Sequence, residues 1–187
     1  PSHIHLCEAG GPSILFSVAQ RTVGVDAQGK MCLDSLEATL NLSLPNDDHC
    51  CRTRLVALEN TNAERGGAIL DADYTDSIAK LCRQRNIFLH IDGARFLNAA
   101  AALAVPGDSI KASARRLSAG ADTVSLCLSK GLGCPGGAVI VGSSETVAEC
   151  RRLRKLVGGS TRQAAGILAA AAWHALHERD LLADLLQ

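Results

Sequence analysis

The chain has 187 residues, in which 19 basic residues balance 19 acidic ones for a formal net charge of zero. A hydrophobic content of 47% with 20% charged residues is typical of a globular domain large enough to bury a core. Without an excess of positive charge, nucleic acid and anionic membrane surfaces are not expected as partners.

Short apolar runs alternate with helical segments along the chain. Most of the runs are continuous, which is typical of strands in a sheet covered by helices on both faces. The predicted strands are 3–7, 55–59, 87–91, 122–128 and 138–141. The link between the last two is too short for a helix, so these strands are antiparallel if they are neighbours. The sequence therefore predicts a three-layer α/β fold with a mixed, mostly parallel sheet.

Three predicted helices carry recognisable signals. Asp34 and Glu37 have the spacing of a capping box, which predicts a helix beginning there. Between the second and third strands, apolar residues recur at the i, i+4, i+7 spacing of one helical stripe. These residues are Tyr74, Ile78 and Leu81. A second capping box, at Ser160, predicts a last helix that runs through an alanine-rich stretch toward Gln187.

Eight cysteines are a high number for this length, but no two have the C-x-x-C spacing. A zinc or redox motif is therefore not expected, and no other cluster has the spacing of metal ligands. We expect the cysteines to be small buried apolar residues in a reducing compartment. With no leader visible at its start, the chain is expected to be cytoplasmic.

Lys130, in the stretch SLCLSKGLG, is unusual because it ends an apolar run instead of lying among polar neighbours. Removal from water favours the neutral amine, which can attack an aldehyde. Gly131 and Gly133 leave room for a bulky group close to the backbone. The competing interpretation is a lysine at a strand end that extends to water.

Asp92 directly follows the third predicted strand, so it belongs to the same sheet edge as Lys130, where ligands of α/β proteins bind. A carboxylate in an apolar setting needs a cationic partner, and a protonated pyridine nitrogen would serve. Gly93 allows a sharp turn, from which Arg95 projects. The alternative is an Asp92–Arg95 ion pair that caps the next helix.

Three further residues complete the candidate site. Arg162 follows Gly158 and Gly159 in the first turn of the last helix, which is a natural anion site unless the arginine is merely solvated. His3 and His49 carry imidazole groups that could transfer a proton, although a single histidine more often packs in the fold or lies at the surface. A lysine Schiff base with an aspartate partner is a recurring way to hold pyridoxal phosphate.

Several segments together resemble the threonine aldolases, which belong to the β-eliminating lyase group of fold type I pyridoxal-phosphate enzymes. These segments are SHIHLCEAGG, LVALENTNAERGGAIL, HIDGARFLNAAAALAV, DTVSLCLSKGLGCPGGAVIVGS and RRLRKLVGGSTRQAAGILAAA. They cover nearly the whole chain in the family's order, and the LSKGLG and DGAR blocks together are specific.

The resemblance implies a role for each candidate residue around pyridoxal 5'-phosphate. Lys130 matches the lysine that binds the cofactor aldehyde, Asp92 the carboxylate on the pyridine nitrogen, and His3 the histidine stacked on the ring. Arg95 matches an arginine on the substrate carboxylate, and Arg162 one near the cofactor phenolic oxygen or that carboxylate.

The implied reaction is cleavage of L-threonine or L-allo-threonine to glycine and acetaldehyde, in threonine breakdown and glycine formation. His49 matches a histidine that interacts with the substrate hydroxyl group. The resemblance also implies a small amino acid as substrate and a homo-oligomer, dimeric or tetrameric.

The chain departs from the family pattern in ways that keep other interpretations open. Residues 1–187 are expected to be a single domain, most of the cofactor-binding large domain, without the family's N-terminal segment and small C-terminal domain. Asn62 takes a position that is usually histidine, and Cys7 one that is usually tyrosine. The chain could instead be a catalytically impaired fragment or pseudoenzyme, or another pyridoxal-phosphate lyase or racemase acting on a β-substituted amino acid.

Overall fold

The computed structural model describes residues 2–42, 49–105, 107, 109–159 and 164–185. Within them are four strands, β1 (Leu55–Glu59), β2 (Phe88–Gly93), β3 (Thr123–Cys127) and β4 (Ala138–Gly142). The helices are α1 (His3–Leu6), α2 (Gly11–Phe16), α3 (Leu33–Asn41), α4 (Ala72–Gln84), α5 (Phe96–Ala102), α6 (Ile110–Ser118), α7 (Ser144–Leu156), α8 (Ala164–His177) and α9 (Leu181–Leu185). A short 3₁₀ turn follows β1 at Ala63–Arg65.

The four strands form one mixed sheet in the order β1-β2-β3-β4. β1, β2 and β3 are parallel neighbours, and β4 pairs with β3 in the antiparallel direction. The predicted α/β class, the four later strands and the antiparallel last pair are thus confirmed. The helix predicted between β1 and β2 is also present as α4, with Asp71 as its N-cap.

The apolar core lies against one face of the sheet. Alternate strand residues such as Val56, Leu89 and Val124 point into it and are buried. Two clusters of buried side chains join this face to α3 and α4 on one side and to α5, α6, α8 and α9 on the other. On the opposite face, the paired residues Leu55 and Phe88 remain exposed. At the carboxyl ends of the parallel strands, Glu59 is buried and Asp92 is half-buried.

The first predicted strand is wrong, because residues 3–6 form the single helical turn α1. Local backbone bonds replace sheet pairing here: the Leu6 N–H donates to the Ser2 carbonyl at 3.0 Å, and the Cys7 N–H donates to the His3 carbonyl at 2.8 Å. The His3 N–H is bound by the Glu59 carboxylate instead of a neighbouring strand, at 2.8 Å. The alternation of apolar residues in 3–7 therefore does not determine the structure here, because a side-chain carboxylate binds the backbone N–H that a neighbouring strand would bind.

Two helix predictions also need correction. The Asp34 side chain does not cap α3, since the helix begins one residue earlier and Cys32 occupies the N-cap without a side-chain hydrogen bond. The last helix is not continuous, because α8 ends at His177 and α9 begins at Leu181. The second predicted cap, Ser160 with Gln163, lies outside the described residues.

The cysteines are less buried than predicted. Cys82 and Cys134 are in the core, but Cys7, Cys32 and Cys51 are exposed and the other three are half-buried. Burial raises the pKa of the Cys82 thiol to about 11, as expected for a thiol among apolar side chains. Among the described helices, none has the length and apolar character needed to cross a membrane.

Candidate active site

Candidate residues gather where the three parallel strands end. Glu59, Asp92 and Ser125 are register partners across β1, β2 and β3. Register partners point to the same face of a sheet, and neighbouring strands lie about 4.8 Å apart. These three side chains are therefore adjacent on one face at the carboxyl end of the sheet. Lys130 follows β3 by a few residues and extends from the same edge. This is the edge at which open α/β sheets bind ligands.

Asp92 is half-buried, and its Oδ1 accepts a hydrogen bond from the Ala94 N–H at 3.2 Å. Arg95 is also half-buried and forms the N-cap of α5, where its carbonyl accepts from the Asn98 N–H at 3.1 Å. Within the described part of the chain, no ion pair joins Asp92 to Arg95. The alternative in which Arg95 neutralises Asp92 is therefore wrong for this structure.

Lys130 lies on an exposed turn directly after β3. Its carbonyl accepts from the Gly133 N–H at 2.8 Å, which closes the turn. The side chain is exposed, which corrects the expectation that its amine is withdrawn from water. The turn borders a narrow crevice that is also lined by Arg95, Asn98 and Cys127. The LSKGLG and DGAR segments therefore line the same crevice.

The two glycines after Lys130 serve the protein's own packing. A Cβ atom on Gly131 would lie 2.6 Å from Asn98 Oδ1 and 2.7 Å from Leu185 Cδ2, so its missing side chain lets α5 and α9 approach the turn. Gly133 has a φ of +65°, which an L side chain rarely adopts. The space that the sequence suggested for a ligand is therefore filled by Asn98 and Leu185.

Arg179 fixes the same turn from the segment between α8 and α9. Its Nη1 donates to the Leu132 carbonyl at 2.8 Å, and its Nε donates to Asp184 Oδ2 at 2.8 Å. Sequence reasoning missed this contact because Arg179 lies in a charged stretch that looks solvent-exposed. Only the fold brings residues 132 and 179 together.

Glu59 is the other residue that sequence reasoning missed. It ends β1 with a side chain that is only 4% exposed, and the imidazole Nδ1 of His3 lies 2.9 Å from its Oε1. The His3 backbone N–H also donates to Oε2, so both carboxylate oxygens of Glu59 contact His3. His3 is therefore held beside the strand end next to Asp92. A glutamate at the end of an otherwise apolar strand was the available signal.

Two titratable groups flank Asp92 and Lys130. Burial lowers the pKa of His90, whose ring pairs with the Thr123 hydroxyl at 2.8 Å, and the negative charge of Asp92 opposes this effect only in part. Burial raises the pKa of the Cys127 thiol, but hydrogen bonds from Ser129 and the charge of Lys130 outweigh it and leave the pKa below its usual value. The site thus favours the neutral form of the His90 imidazole and makes the Cys127 thiol more acidic than an ordinary cysteine.

The remaining candidates are not assembled by the sheet. His49 lies in an exposed bend shortly before β1, so the strand register does not position it. Arg162 lies outside the described residues. Asn62, at the position expected to be histidine, caps the 3₁₀ turn by accepting from the Arg65 N–H at 3.2 Å. The roles of His49 and Arg162 stay predictions, and a metal-binding group of three or more ligands is not found among the described residues.

The fold defines the class of protein to which the chain is similar. A putative L-allo-threonine aldolase from Listeria monocytogenes superposes with a TM-score of 0.74 at 20% identity, over 98% of this chain and 45% of that one. A threonine aldolase from Leishmania major gives a TM-score of 0.72 at 22% identity, over 97% and 49%. At these identities the likeness shows the fold, which is that of the threonine aldolases.

The family follows from the sequence comparison. The model of the beta-eliminating lyase family matches residues 1–185, and the chain belongs to that family. The probable low-specificity L-threonine aldolase 2 of Arabidopsis thaliana is 46% identical over 95% of this chain and 47% of its own length. The low specificity L-threonine aldolase of Escherichia coli O157:H7 is 38% identical over 94% and 48%. The chain thus spans about half the length of these relatives.

Proposed function

We propose that the chain is the cofactor-binding part of a pyridoxal-phosphate-dependent aldolase that cleaves L-threonine or L-allo-threonine to glycine and acetaldehyde. One observation carries the proposal: Asp92 and Lys130 extend from the same edge of two adjacent parallel strands. The names of the relatives support the substrate class. Residues 1–187 are then most of the large domain of a longer enzyme.

The donor set at this edge fits pyridoxal 5'-phosphate. An exposed primary amine on Lys130 meets the requirement for binding an aldehyde, and the Asp92 carboxylate lacks a cationic side-chain partner among the described residues. A protonated pyridine nitrogen would supply that partner. When bound, the cofactor withdraws electrons from the carbon whose bond to its neighbour breaks.

Each candidate site residue then has a proposed role. Lys130 would hold the cofactor aldehyde through its amine until the substrate amine replaces it. Asp92 would bind the protonated pyridine nitrogen, and His3 would lie against the ring. Arg95 binds the substrate carboxylate, with Arg162 near it or near the phenolic oxygen. His49 takes the proton of the substrate hydroxyl, a contribution of about 10²–10⁴-fold to the rate.

Product analysis of the longer enzyme that contains residues 1–187, supplied with pyridoxal phosphate, tests this proposal. Incubation with L-threonine or L-allo-threonine is expected to release glycine and acetaldehyde in equal amounts. Formation of ammonia and a keto acid would instead indicate β-elimination, and change in optical rotation without cleavage would indicate a racemase. If the cofactor does not bind, the chain is an impaired fragment or pseudoenzyme and the proposal fails.

The proposal includes a homo-oligomer acting in the cytoplasm. Apolar side chains of β4, Val139, Ile140 and Val141, are 37–51% exposed on a strand that pairs only with β3 among the described strands. Such an edge is a ready template for association. The buried thiols Cys82 and Cys134 fit a reducing compartment.

Sedimentation velocity over a range of concentrations is expected to give a dimer or a larger homo-oligomer. A triple variant in which threonine replaces Val139, Ile140 and Val141 keeps the strand propensity but removes apolar surface. It should shift the distribution of oligomeric states toward the monomer. A wild-type chain that sediments as a monomer at every concentration would contradict this part of the proposal.

A further inference from the structure

Glu59 is a nearly buried carboxylate with three hydrogen-bond contacts at the end of β1. Its Oε2 accepts the His3 backbone N–H at 2.8 Å, while its Oε1 accepts the Ala63 N–H at 3.1 Å and lies 2.9 Å from His3 Nδ1. With its side chain 4% exposed, a charged carboxylate requires such partners. Two of the three come from one residue, so Glu59 holds His3 by its backbone and its ring at once.

These contacts determine where the imidazole carries its proton. An ionised carboxylate only accepts hydrogen bonds, so the nitrogen that faces Oε1 must be the donor. Because Oε1 also receives the Ala63 N–H, it is oriented as an acceptor from both groups. The neutral ring of His3 is then the Nδ1–H tautomer, and its Nε2 is left with a lone pair.

The ring is also fixed in place. The His3 backbone and Nδ1 are both bonded to one side chain that ends β1, and the register partner of that residue is Asp92. The His3 side chain keeps 31% of its surface exposed, so the rest of the ring stays accessible on this side of the sheet. Rotation of the ring would cost the Nδ1 bond to a buried charge.

We infer that Glu59 is the positioning residue for His3: it selects the Nδ1–H tautomer and turns the proton-accepting Nε2 away from the strand end. The value of this arrangement for catalysis rests on the proposed function, in which His3 lies against the cofactor ring. The tautomer itself is a property of the chain without cofactor. Glu59 therefore acts through His3 and does not touch the reacting atoms.

Nitrogen-15 NMR of the histidine rings in the uniformly labelled chain, without cofactor, tests the inference. His3 signals are assigned by their loss in His3→Asn. We expect the His3 Nδ1 shift of a protonated nitrogen and the Nε2 shift of an unprotonated one in the wild type at a pH where the ring is neutral. A wild-type ring protonated on Nε2, or one that averages between tautomers, would overturn the inference.

Variants at Glu59 separate positioning from a merely structural role. In Glu59→Gln the amide group opposes one of the three donors, so the His3 ring is expected to become a mixture of tautomers. Glu59→Asp keeps the carboxylate and should preserve most of the Nδ1–H form. The internal control is His5, whose Nδ1 pairs with Gln20 Oε1 at 2.9 Å and whose signals should stay unchanged.

If Glu59→Gln fails to fold, the wild-type spectrum and Glu59→Asp still decide the question. An unchanged His3 tautomer in folded Glu59→Gln would contradict the inference and leave Glu59 only as an acceptor for the Ala63 N–H. Failure of the proposed function is seen separately, as a lack of cofactor binding by a chain whose His3 tautomer is as inferred. The two outcomes are thus distinguishable.

Discussion

Lys130→Ala is expected to abolish covalent binding of pyridoxal phosphate and to lower glycine release by at least about 10²–10⁴-fold, because it removes both the aldehyde-binding amine and a proton-transfer group. Lys130 is exposed and only its carbonyl closes the turn, so its side chain can be removed without loss of the fold. The visible absorbance of lysine-bound cofactor reports the binding directly. Borohydride reduction followed by peptide mapping locates the modified lysine.

Lys80→Ala is the matched control for this experiment. Lys80 is an exposed lysine on α4, at a distance in the chain from both site segments. Its removal should leave the absorbance and the product yield unchanged, and reduction of that variant should still label residue 130. Label found on another lysine, or full activity of Lys130→Ala, would contradict the assignment of the amine.

The sheet was predictable from the sequence because its strands are set by local composition. An apolar run such as 55–59 predicts a strand without knowledge of the residues that it contacts. The link before Ala138 is so short that β3 and β4 can pair only in the antiparallel direction. The class and the edge that carries Asp92 and Lys130 followed from this. The failures lie at segment ends: α1 replaces a strand because Glu59 captures His3, a contact between residues far apart in sequence.

The candidate site was predictable only in part, for the same reason. Residue type and position in the sequence predicted Lys130, Asp92 and Arg95 as site residues. They did not predict which side chains fix the loops that carry these residues. Asn98 contacts the turn after β3 from α5, and Arg179 contacts it from the segment between α8 and α9, so both contacts depend on tertiary packing. The sequence also misassigned the purpose of a glycine: Gly131 makes room for the protein's own α5 and α9, whereas its pattern suggested space for a ligand.

Gly93 provides the second large effect, because Gly93→Ala is expected to destabilise the fold by about 3 kcal/mol, the upper end of the usual cost of overpacking. A Cβ atom there would lie 2.5 Å from the Ser125 carbonyl oxygen and 2.8 Å from Phe96 Cβ. Ser125 belongs to the neighbouring strand, which cannot retreat without breaking the β2–β3 pairing. The glycine is needed for this close approach and not for the sharp turn that the sequence suggested, since Gly93 is not among the residues of positive φ.

Urea denaturation measures this cost, as a lower midpoint with the slope unchanged, and the thermal unfolding midpoint should fall by about 6–12 °C for a chain of this size. Gly166→Ala is the control: nothing lies within 4 Å of its added Cβ, and within α8 it should be neutral or stabilising by up to about 1 kcal/mol. Equal stability of Gly93→Ala and wild type would mean that β2 and β3 do not approach this closely. Because Gly93 joins Asp92 to the loop of Arg95, a shift at this position also moves the proposed cofactor and substrate contacts, so cofactor affinity should fall together with stability in Gly93→Ala and stay constant in Gly166→Ala.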